Sequence, residues 1–501
     1  MKIALVFAFA IVLTQAEPAS APPAATPLAT ASGPVYWGKQ AARLTLDSRP
    51  LGFDSDGNAR WLVVTKYWDA DGKPTRVMAA SKVNWTSPDG YVQWQTRLAY
   101  GQPAAILKAT RAGVLTMTAH STNPSFPPIT LQTDTRTWRG PRVVAKPIGP
   151  HVVQIGWFPR ETDVARVVRT DGAGRRKTIG IVAGPSSTYR DATVQPLRHY
   201  RYVVYRTNRE AVRLGPVFTP AAPPPTAVVN AGGKGMWLWF TANPLDKLYF
   251  KHLDPGQIVA QAVRARLHYV ELRVAYGAYW EITPEAKPTI DAVIDGLAAH
   301  GIGTLGWTVP RDTMFDDVAA SVRCAYYRTA KGTRFTGLAV DVERGDEFMG
   351  GDPQKLDALW MYVEYVRQAL GPEYLVAANV EDPYLEHLDG RKYPYRQIAR
   401  FVSVLQPMAY WRMMVRHPTA PEEVKRLLSG SYRTLRAYSH RNVPISIGGQ
   451  TAAEGRNGAP PAAEITASLE ESKHLGAIGE IFFAWEGTQP DQWDAIGRFD
   501  W

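Results

Sequence analysis

The sequence has almost no cysteine: Cys324 is the only one in 501 residues. That excludes a disulfide framework, and with it any zinc or iron–sulfur centre built on several thiolates. Long apolar runs are missing too. Ile3–Leu13 (IALVFAFAIVL) is well short of the ~20 residues a membrane-spanning helix needs, and no later segment is longer and as apolar. Acidic residues are scarce in the first part. Residues 1–231 carry 13 Asp and Glu against 28 Lys and Arg, whereas residues 232–501 carry 33 against 29. The net charge of +11 therefore belongs to the first part, which is not the pattern of a uniformly basic nucleic-acid binder. What is plentiful is core material. A 45% hydrophobic content with 16 Trp, 23 Tyr and 15 Phe excludes disorder, and the length suits about two to four domains.

Lys2, the apolar Ile3–Leu13 and the small residues Thr14 and Ala16 before Glu17 read as a signal peptide over 1–16, not a membrane anchor. The expectation is a secreted, bacterial-type protein, extracellular or held at the cell surface, without a stable membrane span. Residues 17–34 are rich in Ala and Pro and read as an uncharged linker.

Two β modules are expected next, over 35–138 and 139–219. In the first, Ala42–Leu46, Arg60–Tyr67, Lys82–Trp85, Ile106–Thr110 and Val114–Ala119 alternate as strands do. Asp56-Gly57, Asp71-Gly72 and Asp89-Gly90 supply turns. Such spacing predicts a β-sandwich. Trp68–Pro74 (WDADGKP), Val83–Trp85 (VNW) and Ala112–Ala119 (AGVLTMTA) resemble bacterial Ig-like domains of the invasin type. In the second module Val152–Trp157, Val164–Arg169, Lys177–Val182 and His199–Tyr205 alternate. Pro196, four residues before Tyr200, resembles the tyrosine corner of fibronectin type III domains, which implies that Trp157 is a core residue.

After a proline-rich linker (220–231) the pattern changes. Over 232–501, eight apolar, β-branched or aromatic runs alternate with amphipathic helical stretches. The runs are Met236–Phe240, Tyr269–Ala275, Gly303–Val309, Thr336–Glu343, Tyr374–Glu381, Val402–Tyr410, Val443–Gly448 and Gly479–Trp485. The helices include Asp254–Ala265, Pro288–Ala299, Leu356–Leu370 and Ala462–His474. Eight such units predict a (β/α)8 TIM barrel. No Gly-rich phosphate loop follows the first strand, which disfavours a doubly wound sheet. The fold class is thus multidomain: two all-β sandwiches followed by an α/β barrel.

A barrel places its site at the C-terminal ends of its strands. The fourth run, TGLAVDVE, ends in Asp341 and Glu343 on one face, ~6–7 Å apart along a strand. Two close, desolvated carboxyls keep a proton to higher pH, which a general acid for glycosidic cleavage needs. A structural pair bonded to backbone or to Arg273 is the alternative. The segment resembles the D-G-x-D-x-D-x-E motif of chitinase-type (family 18) glycoside hydrolases, which also fold as (β/α)8 barrels. Gly337, Asp341 and Glu343 match; Thr336 and Ala339 stand at the first two acidic positions. The resemblance implies Glu343 as general acid and Asp341 as the residue orienting an acetamido group. Met408-Ala409-Tyr410 matches the family's M-x-Y-D, with Trp411 in place of the Asp, and Trp485 matches the Trp that floors the sugar site. Tyr410 is then expected to hydrogen-bond the reacting sugar. Other glycosidase layouts fit less well. The seventh strand offers Gln450, which can bond a hydroxyl but cannot form a glycosyl ester, and no first-strand Asp of the family 25 type is present.

A second carboxylate is open between Glu381, sharing the inward face with Asn379 or sitting in a turn before Pro383, and Glu486, expected outward or in the loop. Glu271 and Arg273 share a strand face, as a mutual ion pair or as substrate contacts. Trp239, Trp411, Trp485, Gln406, Gln450, Glu381, Asn379, Arg273 and Glu271 complete the candidate binding set. Histidine spacing suggests no metal site, Cys324 reads as a buried thiol, and no cofactor or nucleic acid is expected. The reading is a secreted glycoside hydrolase acting on a polysaccharide, cell-wall or N-acetylated, with the basic modules contacting an anionic wall polymer. The alternative is a carbohydrate-binding pseudoenzyme whose Thr336, Ala339 and Trp411 mark lost acids.

Overall fold

The computed structural model describes residues 41–501 except 55–56, 76–82, 89–90, 98–102, 122–125, 139–141, 160–163, 184–185, 208–210, 240–253, 278, 312–313, 345–355, 416–418 and 454–456. The signal-peptide and Ala/Pro-rich segments, Phe240, Asp56 and the Asp89-Gly90 turn lie outside the described residues. No helix among the described residues is long and apolar enough to cross a membrane.

The first β-region is antiparallel throughout. Its strands are β1 (Arg43–Phe53), β2 (Ala59–Trp68), β3 (Pro74–Thr75), β4 (Val83–Thr86), β5 (Tyr91–Arg97), β6 (Pro103–Ala109), β7 (Val114–Ser121) and β8 (Ile129–Asp134). One sheet runs β1-β2-β6-β5 with β3 on β2, the other β4-β7-β8. Inward residues of both sheets, among them Trp61, Val63, Trp85, Leu107 and Met117, form one core. The second region has β9 (Val143–Gly149), β10 (Val152–Trp157), β11 (Ala165–Thr170), β12 (Arg176–Val182), β13 (Thr188–Asp191), β14 (His199–Arg206) and β15 (Val212–Phe218), in sheets β13-β10-β9 and β12-β11-β14-β15. Trp157 is buried in its core beside Val153, Ile155 and Tyr202. The Tyr200 hydroxyl accepts the Gln195 N–H at 2.9 Å, pinning the turn that holds Pro196.

The barrel strands are β16 (Gly233–Trp239), β17 (Tyr269–Tyr276), β19 (Gly303–Val309), β20 (Gly337–Val342), β21 (Val376–Val380), β22 (Val404–Pro407), β23 (Ser446–Gln450) and β24 (Gly479–Phe483); the short β18 (Tyr279–Trp280) folds back on β17. The order β22-β21-β20-β19-β17-β16-β24-β23 is parallel, and bridges Leu405↔Ile445 and Met408↔Gly448 join its two ends. The eight-stranded barrel is closed. Helices α1 (Pro255–Arg264), α2 (Lys287–Ala299), α3 (Met314–Tyr326), α4 (Leu356–Leu370), α5 (Tyr395–Ile398), α6 (Trp411–Met414), α7 (Pro421–Ser439), α8 (Ala462–His474) and α9 (Pro490–Arg498) surround it. Their starts follow local rules: Asp254 accepts the Gly256 N–H at 2.7 Å while Pro255 opens α1.

Period-2 alternation splits each strand between two cores. Met236, Leu238, Val270, Leu272, Val340 and Val376 pack outward under the helices. Trp237, Tyr269, Leu305, Trp307, Ala339, Ala377 and Ile481 fill the barrel. The interior balances large against small. A Cβ on Gly448 would lie 2.7 Å from the Pro407 carbonyl and 2.9 Å from the Trp237 ring, so only glycine lets that indole reach across. Cys324 is likewise packing: its sulfur faces Gly306, and burial pushes the thiol up.

The β-regions are docked on the barrel. Ile148 and Val152 join its outer core, and the Arg190 guanidinium lies 3.5 Å from the Tyr365 ring centre. Asp316 on α3 receives Lys108 at 3.6 Å and Arg60 at 4.0 Å, and Lys108 also meets Asp54 at 3.4 Å. Against its burial, Lys108, Arg60 and Lys146 hold Asp316 below the usual carboxylate range. The proline-rich stretch is docked as well: the Thr226 N–H donates to the Glu373 carbonyl at 3.0 Å, and the Tyr326 hydroxyl to that of Ala221 at 2.7 Å.

Candidate active site

Inward residues at the C-terminal strand ends enclose a cavity of about 210 Å³. It is lined by the polar Asp341, Glu343, Asn379, Glu381 and Glu386 together with Trp237, Trp307, Met408, Tyr410, Met413 and Phe483. Carboxyls and aromatic rings thus share one cavity, a combination suited to a sugar ring with hydroxyl edges and apolar faces.

Asp341 is the last inward residue of β20, pairs in register with Asn379, and is buried. Glu343, two residues on, is half-buried at the rim, close enough for each carboxyl to act on the other's charge. Burial, then Glu343, then Glu271 push Asp341 well above the usual carboxylate range. The pair therefore holds a proton at a pH where isolated carboxyls have lost theirs.

Beneath the cavity lies a dry polar layer. Glu271 is fully buried and accepts the Trp237 indole N–H at 2.7 Å, the Gln406 amide at 2.7 Å and the Asn379 amide at 3.3 Å. Burial pushes it up to about 7 despite these donors. Gln406 also accepts from Asn379 at 3.0 Å and reaches the Tyr269 hydroxyl at 3.4 Å. Glu271 and Gln406 are therefore floor supports, not wall residues. Asn379 is different: it lines the cavity, is buried, and its Oδ1 has no hydrogen-bond partner.

Glu381 follows β21 on the inward face and accepts the Arg344 backbone N–H at 2.6 Å as well as its guanidinium. Arg344 also reaches Glu386 at 3.2 Å, and burial followed by Glu381 pushes Glu386 up to about 7. Tyr410 packs edge-on against Trp237 at 6.4 Å and against Phe483 at 5.4 Å.

The remaining sequence candidates are placed elsewhere. Arg273 pairs with Glu281 through two 3.0 Å bonds, not with Glu271, because β18 folds Glu281 back beneath it. Trp239 stacks on Phe483 at 5.5 Å and stands behind the wall. Trp411 is fully buried in the outer core and donates to Glu464 at 2.9 Å, because α6 starts there and turns the ring away from the mouth. Gln450 is fully buried, accepting the Arg412 N–H at 3.2 Å and donating to the Ala452 carbonyl at 3.0 Å. Trp485 lies beyond the end of β24, in a 3-10 turn, and packs on Trp493 at 4.8 Å. Phe483, in phase with inward Ile481, is the ring that faces the cavity. Glu486 is in that same turn, in the loop after β24 and not pointing outward: both oxygens are buried without a hydrogen-bond partner, and burial pushes it up to about 7.

Phe483 was accessible from alternation alone. Glu386, Met413 and Arg344 were not, since loops and one-turn helices carry no period. Among the described residues no group of three or more His, Cys, Asp or Glu is placed to hold a metal ion.

No family model and no curated protein matches the sequence. Solved structures similar to the chain include a chitinase from Chromobacterium violaceum (11% identity, TM-score 0.38, covering 53% of this chain and 98% of that one). The spore cortex-lytic enzyme SleL of Bacillus megaterium gives 11% identity and TM-score 0.38 over 57% of this chain and 77% of its own. A family GH18 chitinase from Cycas revoluta, in complex with allosamidin, gives 12% and 0.37 over 53% and 97%. Likeness at this level says nothing about chemistry, and the barrel itself rests on the strand order and closure described above.

Proposed function

We propose that the barrel is a glycoside hydrolase acting on a polysaccharide, cell-wall or N-acetylated, with Glu343 as general acid. The observation that carries this is the close Asp341–Glu343 carboxyl pair lining a cavity that aromatic rings also line. Glu343, at the rim, gives its proton to the glycosidic oxygen as the bond to the anomeric carbon breaks; Asp341 supports the positive charge that develops at that carbon. Tyr410 and Asn379 offer polar atoms to the bound sugar, and Trp237, Trp307 and Phe483 its apolar surface. A signal peptide and Ig-like and fibronectin type III-like modules fit this reading as those of a secreted, wall-associated protein.

A second reading, a carbohydrate-binding pseudoenzyme, is favoured by Thr336, Ala339 and Trp411 at three motif acid positions, with Trp411 fully buried. Wild type and Glu343→Gln assayed on peptidoglycan, chitin and other glycans separate the two. Reducing ends released by wild type only support hydrolysis; binding by both with cleavage by neither supports the lectin-like reading.

A further inference from the structure

We propose that the outer flank of the barrel carries an anion-binding site, separate from the mouth, that takes a group bearing two or more phosphates. A cavity of about 600 Å³ is lined by Arg396, Gln397, Arg400, His440 and Arg441, and it shares no lining residue with the mouth. Arg396 and Gln397 lie on α5, Arg400 on the stretch leading into β22, and His440 and Arg441 between α7 and β23. The fold thus brings basic side chains from two separate connections to one hollow.

No carboxylate neutralises them. Among the described residues, none of Arg396, Arg400 and Arg441 forms an ion pair, while neighbouring arginines do: Arg391 with Asp389, Arg412 with Glu464. Nor do they belong to the basic half of the chain, since acidic residues outnumber basic ones 33 to 29 over 232–501. Part of the cluster has a local reason. His440, with φ 51°, caps the end of α7, where cations are favoured by the helix carbonyls. That accounts for His440 and Arg441 but does not bring Arg396 and Arg400 to face them. The three arginines, all exposed, line one hollow, and a multivalent anion there is attracted by each of them.

The chemistry of the donors narrows the ligand. Planar guanidinium forks bind carboxylate or phosphate oxygens in pairs. Three of them, with a histidine, exceed what one carboxylate neutralises and suit a di- or oligophosphate. Among the described residues no aromatic ring lines the cavity, which sets it apart from the stacking platform of a single-stranded nucleic-acid site.

The test is calorimetric titration of the full chain with inorganic tripolyphosphate and with citrate at constant ionic strength. Compared with wild type are Arg396→Gln/Arg400→Gln/Arg441→Gln and a control, Arg426→Gln/Arg498→Gln, which removes exposed arginines elsewhere. Expected is one saturable tripolyphosphate site, about tenfold or more tighter than citrate, weakened at least about tenfold in the triple variant and unchanged in the control. Equal affinity in triple variant and wild type, or equal affinity for the two anions, overturns the proposal. Should the triple variant lose its thermal transition, Arg441→Gln alone is read the same way.

Discussion

Asp341, near the end of β20, and Glu343, just beyond it, line the same cavity, and each carboxyl acts on the other's charge. The like charge each presents to the other, together with burial, keeps a proton on the pair. On the proposed reading, Glu343→Gln lowers kcat by about 10²–10⁴-fold, the range general acid catalysis supplies. Asp341→Asn removes the charge that holds the proton on, so the alkaline limb of the pH–rate profile moves to lower pH. An unmoved limb in that variant contradicts a shared proton.

Trp411 and Phe483 have opposite expected behaviour. Trp411 donates to Glu464 in the outer core, so Trp411→Phe costs about 1 kcal/mol of stability and leaves KM unchanged. Phe483 faces the cavity, so Phe483→Leu raises KM severalfold with a smaller effect on kcat. Steady-state kinetics beside thermal unfolding distinguish the two.

Glu480, fully buried on β24 beside Ser468 and Ser472, is pushed up by burial to about 8 from an ordinary 4.5. A folded-state value above the unfolded one means that the native state binds the extra proton. Its stability contribution is therefore complete below about pH 4.5 and lost progressively as pH rises to about 8. Glu480→Gln removes this loss, so the variant gains on wild type by a few kcal/mol at pH 8 relative to pH 4.5, at roughly 1.4 kcal/mol per unit. Thermal unfolding across pH reads the difference; parallel curves contradict it.

Lys108 is almost fully buried between buried Asp54 and partly buried Asp316, so its removal takes a shared cation from two carboxylates at the joint between the first β-region and α3. Lys108→Met is expected to cost about 3–5 kcal/mol. The two parts then separate, which appears as a larger radius of gyration in solution scattering. An unchanged radius and midpoint contradict the clamp.

How legible the molecule was depended on period. All eight barrel strands are legible as short runs dominated by apolar, β-branched or aromatic residues between helical stretches; Gly303–Val309 and helices Leu356–Leu370 and Ala462–His474 match to the residue. Strands β9 and β15 were not predicted: Pro147 and Pro216 interrupt their pattern, and edge positions tolerate them. At the site, parity placed Asp341, Glu343, Asn379 and Glu381 on the inward face. It failed where the strand had already ended. Trp411 begins a helix and Trp485 a 3-10 turn, so alternation no longer says which way either ring points. A shared strand face left Arg273 open between an ion pair with Glu271 and a substrate contact; the hairpin that delivers Glu281 is a tertiary feature without a sequence period.

The most direct test of Glu343 as general acid compares leaving groups. Wild type and Glu343→Gln are assayed on an oligosaccharide of whichever polymer wild type cleaves and on the dinitrophenyl glycoside of the same sugar. A dinitrophenolate departs without protonation, so the variant is expected to lose the oligosaccharide reaction while retaining much of the aryl glycoside reaction. Equal losses on both substrates, or an oligosaccharide rate unaffected by the substitution, contradict the assignment.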